Sequence, residues 1–153
     1  MEGDVIQELS GHSDRVHGLC WAPDGKTIAS GSTDGTVRLW EWSADTKTAE
    51  CRFLLPQGGP VNSVAISGDS ELVAATSDDH CVRLWNVVSG DLIACLKGHT
   101  GIITSLSLPQ RGARDLVPFV LTSSRDGTVK RWGYPPQPSQ CLKTYAGAKV
   151  SVD

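Results

Sequence analysis

The chain has 153 residues and a net charge of −3 from 14 Lys and Arg against 17 Asp and Glu. That length allows one compact domain with a real core, and that charge, with no dense basic or acidic block, gives no general electrostatic attraction to nucleic acid or to an anionic membrane. No apolar run approaches the roughly 18–20 residues that span a bilayer.

In chain order, the acidic, polar start Met1–Ser10 has the make-up of neither a signal nor a transit peptide. The first alternating run is VHGLCWA (16–22), closed by the turn residues Pro23-Asp24-Gly25. An apolar run from Ile28 ends at Asp34-Gly35, a hairpin signal, and TVRLWEW (36–42) alternates again. The same order returns at 61–85 and at 103–132, and no 3.6-residue apolar stripe is long enough for a helix. The five cysteines, Cys20, Cys51, Cys81, Cys95 and Cys141, are odd in number, well separated and without zinc spacing. They read as small core hydrophobes, reduced as in a cytoplasmic or nuclear protein and not a secreted one.

Three segments align on a tryptophan: IASGSTDGTVRLW (28–40), VAATSDDHCVRLW (73–85) and VLTSSRDGTVKRW (120–132). Their Asp34, Asp79 and Asp126 lie 45 and 47 positions apart, each six residues before its Trp. Two of the three are entered through Gly-His, at Gly11-His12 and Gly98-His99, and the second has Gln57 in the His position. A period near 45 is that of a four-stranded propeller blade. On these residues the chain resembles the WD-repeat β-propeller family, although Glu41, Asn86 and Gly133 stand where the Asp of a Trp-Asp pair would fall.

The resemblance implies an all-β fold: a single segment over 1–153, in repeats of about 11–55, 56–97 and 98–146. It implies three four-stranded antiparallel blades, an orphan outer strand at Val5–Leu9 and the first strand of a fourth blade at 148–152. The outer strands of the three blades fall on CRFLL (51–55), DLIACL (91–96) and CLKTYA (141–146). Propellers close with four to eight blades, and repeat units need neighbours to bury their faces. Three blades therefore imply part of a longer protein, a ring completed by another chain, or an arc held open in a larger assembly.

The resemblance also assigns His12, Ser30, Asp34 and Trp40 to a structural tetrad, with His99, Thr122, Asp126 and Trp132 as a second copy. The second blade keeps only Asp79 and Trp85, with Gln57 and Ala75 in the other two places, and is expected to be the least rigid. Ser, His and Asp together are also the inventory of a hydrolytic triad. Against that reading, Ser30 lies mid-strand and the set repeats, which catalysis does not require. No phosphate loop, metal motif or nucleophile elbow is present, so no cofactor, no metal and no enzymatic activity are expected.

The expected function is a non-catalytic scaffold that binds a protein or peptide partner, with no nucleic acid and no membrane. The loops joining outer strand to inner strand, and the second strand to the third, ring one face in the family. They carry Asp14, Arg15, Thr33, Asp78, His80, Thr100 and Arg125. The alternative is a regulatory or sensor propeller in a larger multidomain signalling protein. On the opposite face, an insert around 109–119 with Arg111 and Arg114, and the pair Pro135 and Pro138, carry only weak signals. Trp21 is expected in the core, and Trp42 either caps the blade or stands exposed as an anchor.

Overall fold

The computed structural model describes residues 3–109, 119–135 and 139–147. The first sheet contains β1 (Val16–Trp21), β2 (Thr27–Ser32), β3 (Thr36–Ser43) and β4 (Thr48–Pro56). The second contains β5 (Val61–Ile66), β6 (Leu72–Ser77), β7 (Cys81–Asn86) and β8 (Leu92–Lys97). The third contains β9 (Ile103–Ser107), β10 (Phe119–Ser124), β11 (Thr128–Gly133) and β12 (Cys141–Ala146). In each sheet the four strands are neighbours in sequence order and pair antiparallel. No helix among the described residues is long and apolar enough to cross a membrane.

The three sheets repeat one another in register. Ser30 faces Arg38, Ala75 faces Arg83 and Thr122 faces Lys130 across the middle strand pair of each. Alternation along β3 sends Val37 and Leu39 to one side and Trp40 and Trp42 to the other. Val37 and Leu39 meet Val61, Val64, Val73 and Trp85 of the second sheet in one core cluster. Val82 and Leu84 meet Ile103, Val120 and Trp132 of the third in another. The rule is the same twice: the Trp of a later blade packs on the Val-x-Leu side of the earlier one. Gly31 is required there, because a Cβ would overlap the Val61 side chain and come within 2.8 Å of Val64 Cγ1.

The outer faces of the first and third sheets meet no further sheet among the described residues. Trp21, expected in the core, is 53% exposed for that reason. It lies on the outward side of β1, its ring edge-on to Trp42 at 6.2 Å. Trp42 is half-buried beside Trp40, Ile28, Ala49 and Leu9. Val129 is 39% exposed, whereas Val37 and Val82, at the same place in their blades, are fully buried. Cys51 and Cys141 also depart from the expected core, since their outer strands present one face to solvent, and all five thiols are free.

Val5–Leu9, expected as an outer strand, forms no ladder. The side-chain amide of Gln7 takes the place of a strand partner, accepting from Ala49 N at 2.8 Å and donating to Ala49 O at 3.1 Å. A strand is made by a run of backbone pairs, and here one side chain bonds the outer edge of β4 at Ala49. Residues 110–118, Pro138 and the segment 148–152 lie outside the described residues, and with them most of the insert, Arg111, Arg114 and the fourth-blade strand.

Candidate functional site

In the first blade, Trp40 Nε1 donates to Ser30 Oγ at 2.8 Å, Ser30 Oγ lies 2.8 Å from His12 Nε2, and His12 Nδ1 lies 2.9 Å from Asp34 Oδ2. The third blade repeats the chain through Trp132, Thr122, His99 and Asp126 at 2.8, 2.7 and 2.7 Å. An ionised carboxylate only accepts, so Nδ1 carries a proton, and a neutral imidazole leaves Nε2 to accept the hydroxyl hydrogen. Each hydroxyl then accepts from indole and donates to imidazole, and the network closes without an unpaired group. Ser30 is 4% exposed, and its oxygen is engaged by the indole. The Ser-His-Asp geometry therefore offers a substrate no access.

Sequence reasoning missed two members. Thr36 Oγ1 donates to Asp34 Oδ1 and Thr128 Oγ1 to Asp126 Oδ1, both at 2.6 Å. Their backbone N–H groups bond the same oxygens at 2.9 Å. The Asp-Gly-Thr shared by two repeats was the available signal. Asp34 Oδ2 also accepts from Ser13 N, and Asp126 Oδ2 from Thr100 N. Burial alone would raise these carboxyls, but the hydroxyl, imidazole and backbone donors outweigh it and hold both far below the ordinary carboxylate range.

The second blade is wired differently. Ala75 supplies no hydroxyl, and Asp79 Oδ2 accepts instead from Arg83 Nη2 at 2.6 Å. Burial raises the Asp79 carboxyl, and the Arg83 hydrogen bond and charge bring it below its usual value. Arg38, at the same place in the first blade, points elsewhere, donating to Gly11 O at 2.8 Å. The substitutions Gln57→His and Ala75→Ser together are expected to raise the unfolding free energy by about 1–2 kcal/mol by restoring the network. Gln57→His alone gains less, because the hydroxyl is missing and Arg83 already holds Asp79. An unchanged denaturant midpoint for the double variant would contradict this account.

The candidate partner residues lie on paired loops. Backbone bonds tie Thr33 N to Arg15 O, Asp78 N to Pro60 O and Arg125 N to Ile102 O, one such tie in each blade. Asp14, Arg15, Thr100 and Arg125 are exposed, and Thr33, Asp78 and His80 are half-buried. Thr33 Oγ1 lies 2.7 Å from His17 Nε2, and Asp78 Oδ1 accepts from Asn62 Nδ2 at 2.7 Å. His80 has φ +65° at the turn position where the other blades place Gly35 and Gly127. An L-residue there gives up stability that glycine would keep.

The family profile described as "WD domain, G-beta repeat" matches residues 3–41, 50–86 and 90–133. The chain is 35% identical over 118 residues to the F-box/WD repeat-containing protein sel-10 of Caenorhabditis elegans, covering 77% of this chain and 19% of that protein. It is 31% identical over 154 residues to the pre-mRNA-splicing factor cwf17 of Schizosaccharomyces pombe, covering 94% of this chain and 43% of that protein. It is also 31% identical over 140 residues to apoptotic protease-activating factor 1 of Rattus norvegicus, covering 91% of this chain and 10% of that protein. The chain thus spans less than half the length of these relatives. With three profile matches laid over three blades of one register, the chain belongs to the WD-repeat family.

Proposed function

We propose that this segment is part of a non-catalytic interaction scaffold, and that a protein or peptide partner docks on the loops bearing Asp14, Arg15, Thr33, Asp78, His80, Thr100 and Arg125. The observation that carries the reading is the conformation of His80. A side chain kept in a left-handed turn, where the two sister turns use glycine, is the kind of local cost that persists at functional positions. The paired backbone ties below it make the loops a preorganised platform, which limits the ordering cost of binding. Positive Arg15 and Arg125 beside negative Asp14 and Asp78 suit a partner of mixed charge better than a phosphate backbone.

A second reading, a regulatory propeller within a larger multidomain signalling protein, is favoured by the small share of its relatives that the chain covers.

Cross-linking mass spectrometry on the full-length protein, repeated after Arg15→Glu with Arg125→Glu, tests the docking face. Loss of the cross-linked partner with the fold retained is the expected result. His80→Gly should weaken the same capture while stabilising the fold by about 1 kcal/mol. Capture indifferent to all three changes, but lost on altering the opposite hairpin at Asp24, would overturn the proposal.

A further inference from the structure

We propose, resting on the docking reading above, that Arg83 is the residue that positions His80 for the partner, by anchoring the carboxylate of Asp79. The three sister turns divide the work of the loop carboxylate in the same way. One oxygen closes the turn: Asp34 Oδ1 accepts from Thr36 N at 2.9 Å, Asp79 Oδ1 from Cys81 N at 3.2 Å and Asp126 Oδ1 from Thr128 N at 2.9 Å. The residue bracketed by that bond is Gly35, His80 or Gly127. The other oxygen ties the carboxylate to the body of the blade. Asp34 Oδ2 is held by His12 Nδ1 at 2.9 Å and Ser13 N at 3.0 Å, and Asp126 Oδ2 by His99 Nδ1 at 2.7 Å and Thr100 N at 3.1 Å. Asp79 Oδ2 is held by Arg83 Nη2 at 2.6 Å.

This anchor serves the turn that is hardest to hold. Gly35 and Gly127 have φ +80° and +82°, which glycine adopts freely. His80 has φ +65°, and an L-residue keeps that conformation only where its surroundings fix it. Those surroundings are the Asp79 carboxylate, which spans His80 to reach Cys81 N, and the bond from His80 N to Ser77 O at 3.1 Å. A carboxylate free to change rotamer would release the first of them. Arg83 prevents this because it stands within β7, opposite Ala75 on one side and Cys95 on the other, and is fixed by both ladders. The preceding loop is shaped to the ion pair. A Cβ on Gly58 would overlap Asp79 and come within 2.8 Å of Arg83 Nη2, and a Cβ on Gly59 would lie 3.3 Å from Ser77 Oγ. Pro60 O then accepts from Asp78 N at 3.0 Å, so both loops of this blade rest on the same pair.

An ion pair also brings a sensitivity that the sister anchors lack. The Arg83 and Asp79 side chains are 17% and 24% exposed, against 8% for Asp34 and for Asp126. Dissolved ions weaken a partly exposed pair, and buried groups are screened far less. His80 is therefore held firmly at low ionic strength and more loosely at high, while the first and third turns change little. Arg38, the same residue at the same place in the first blade, donates to Gly11 O at 2.8 Å and supplies a matched control.

The turn amides of Thr36, Cys81 and Thr128 report the three anchors separately, and their hydrogen-exchange protection in the full-length protein is the test. Between about 0.01 and 1 M sodium chloride, protection at Cys81 is expected to fall about two- to fivefold relative to Thr36 and Thr128. Arg83→Met removes the cation and keeps most of the stem. It should lower Cys81 protection about tenfold, remove its salt dependence and weaken the partner's cross-link, with Thr36 and Thr128 unchanged. Arg38→Met should leave Cys81 as it is. A merely structural loss would loosen all three turns together, so a uniform change overturns the proposal, as does Cys81 protection indifferent to salt and to Arg83→Met. Capture lost on the Arg15 and Arg125 changes but indifferent to Arg83→Met also overturns it, and spares the docking reading. Capture indifferent to all of these changes, with Cys81 loosened as expected, refutes the docking reading instead. The salt series needs no variant, so it decides the role of the ion pair even if Arg83→Met fails to fold.

Discussion

Replacing Trp132 by alanine lowers the unfolding free energy by about 3–5 kcal/mol, the range for emptying a large aromatic site in a packed core. Trp132 is 1% exposed and joins the third blade to Val82 and Leu84 of the second. Its ring lies edge-on to His99 at 5.7 Å, and its tip lies 3.0 Å from where a Cβ on Gly98 would stand. The site is enclosed on both sides by sheets, so it cannot collapse to fill the void. Trp40→Ala should cost less. Its neighbours are Leu9 and the half-buried Trp42 on an uncovered face, and these can move in. The more discriminating comparison is Trp to Phe. Trp132→Phe also deprives Thr122 of its indole donor, adding about 1 kcal/mol to the loss of volume. Trp85→Phe removes an N–H that no protein group accepts, so it adds nothing of that kind from the protein. Denaturant unfolding of the full-length variants measures the difference, and equal costs for the two Phe variants would sink the account of the tetrad.

The parts of this fold that were legible in the sequence are those fixed by local pattern and repetition. The six-residue step from Asp34 to Trp40, repeated at Asp79 and Asp126, sets turn, strand and register together. A hairpin with a buried side specifies its own phase, and three in series specify the array. What was not legible depended on neighbours beyond the repeat. Trp21 has the composition of a core residue, but whether it is covered depends on a sheet facing β1 from outside. Val5–Leu9 has the pattern of a strand, but a strand is made by its partner, and Gln7 meets β4 with a side chain instead. Arg38 and Arg83 are the same residue at the same repeat position, yet one reaches Gly11 O and the other Asp79. The difference lies at Gln57: where His12 satisfies Asp34, no imidazole competes for Asp79, and the arginine takes the carboxylate.

Asp126→Ala is expected to cost about 3 kcal/mol, because removing the acceptor of a buried hydrogen-bond network leaves its donors stranded. The Asp126 side chain is 8% exposed and accepts from His99 Nδ1, Thr100 N, Thr128 N and Thr128 Oγ1. All four lose their acceptor together. Asp79→Ala should cost clearly less, since Asp79 is held mainly by the partly exposed Arg83. The same carboxylates govern the acid limb of stability. The folded carboxyls of Asp34 and Asp126 lie far below the ordinary range, with burial opposing the shift and hydrogen bonds from Thr36 and Thr128 leading the groups that produce it. A group whose folded pKa is depressed contributes stability above its unfolded value, about 3.9 for Asp. That contribution is complete near neutrality and is lost as pH falls below about 4. Urea unfolding at a series of pH values between about 6 and 2 should therefore show stability falling steadily at the acid end. Asp126→Asn should make that fall shallower by up to one proton, which is about 1.4 kcal/mol per pH unit. The amide cannot titrate, and it sets a donor against the His99 and Thr100 N–H groups, so this variant also starts from a lower plateau. An acid limb as steep in Asp126→Asn as in the wild type would show that Asp126 is not among the groups that drive it.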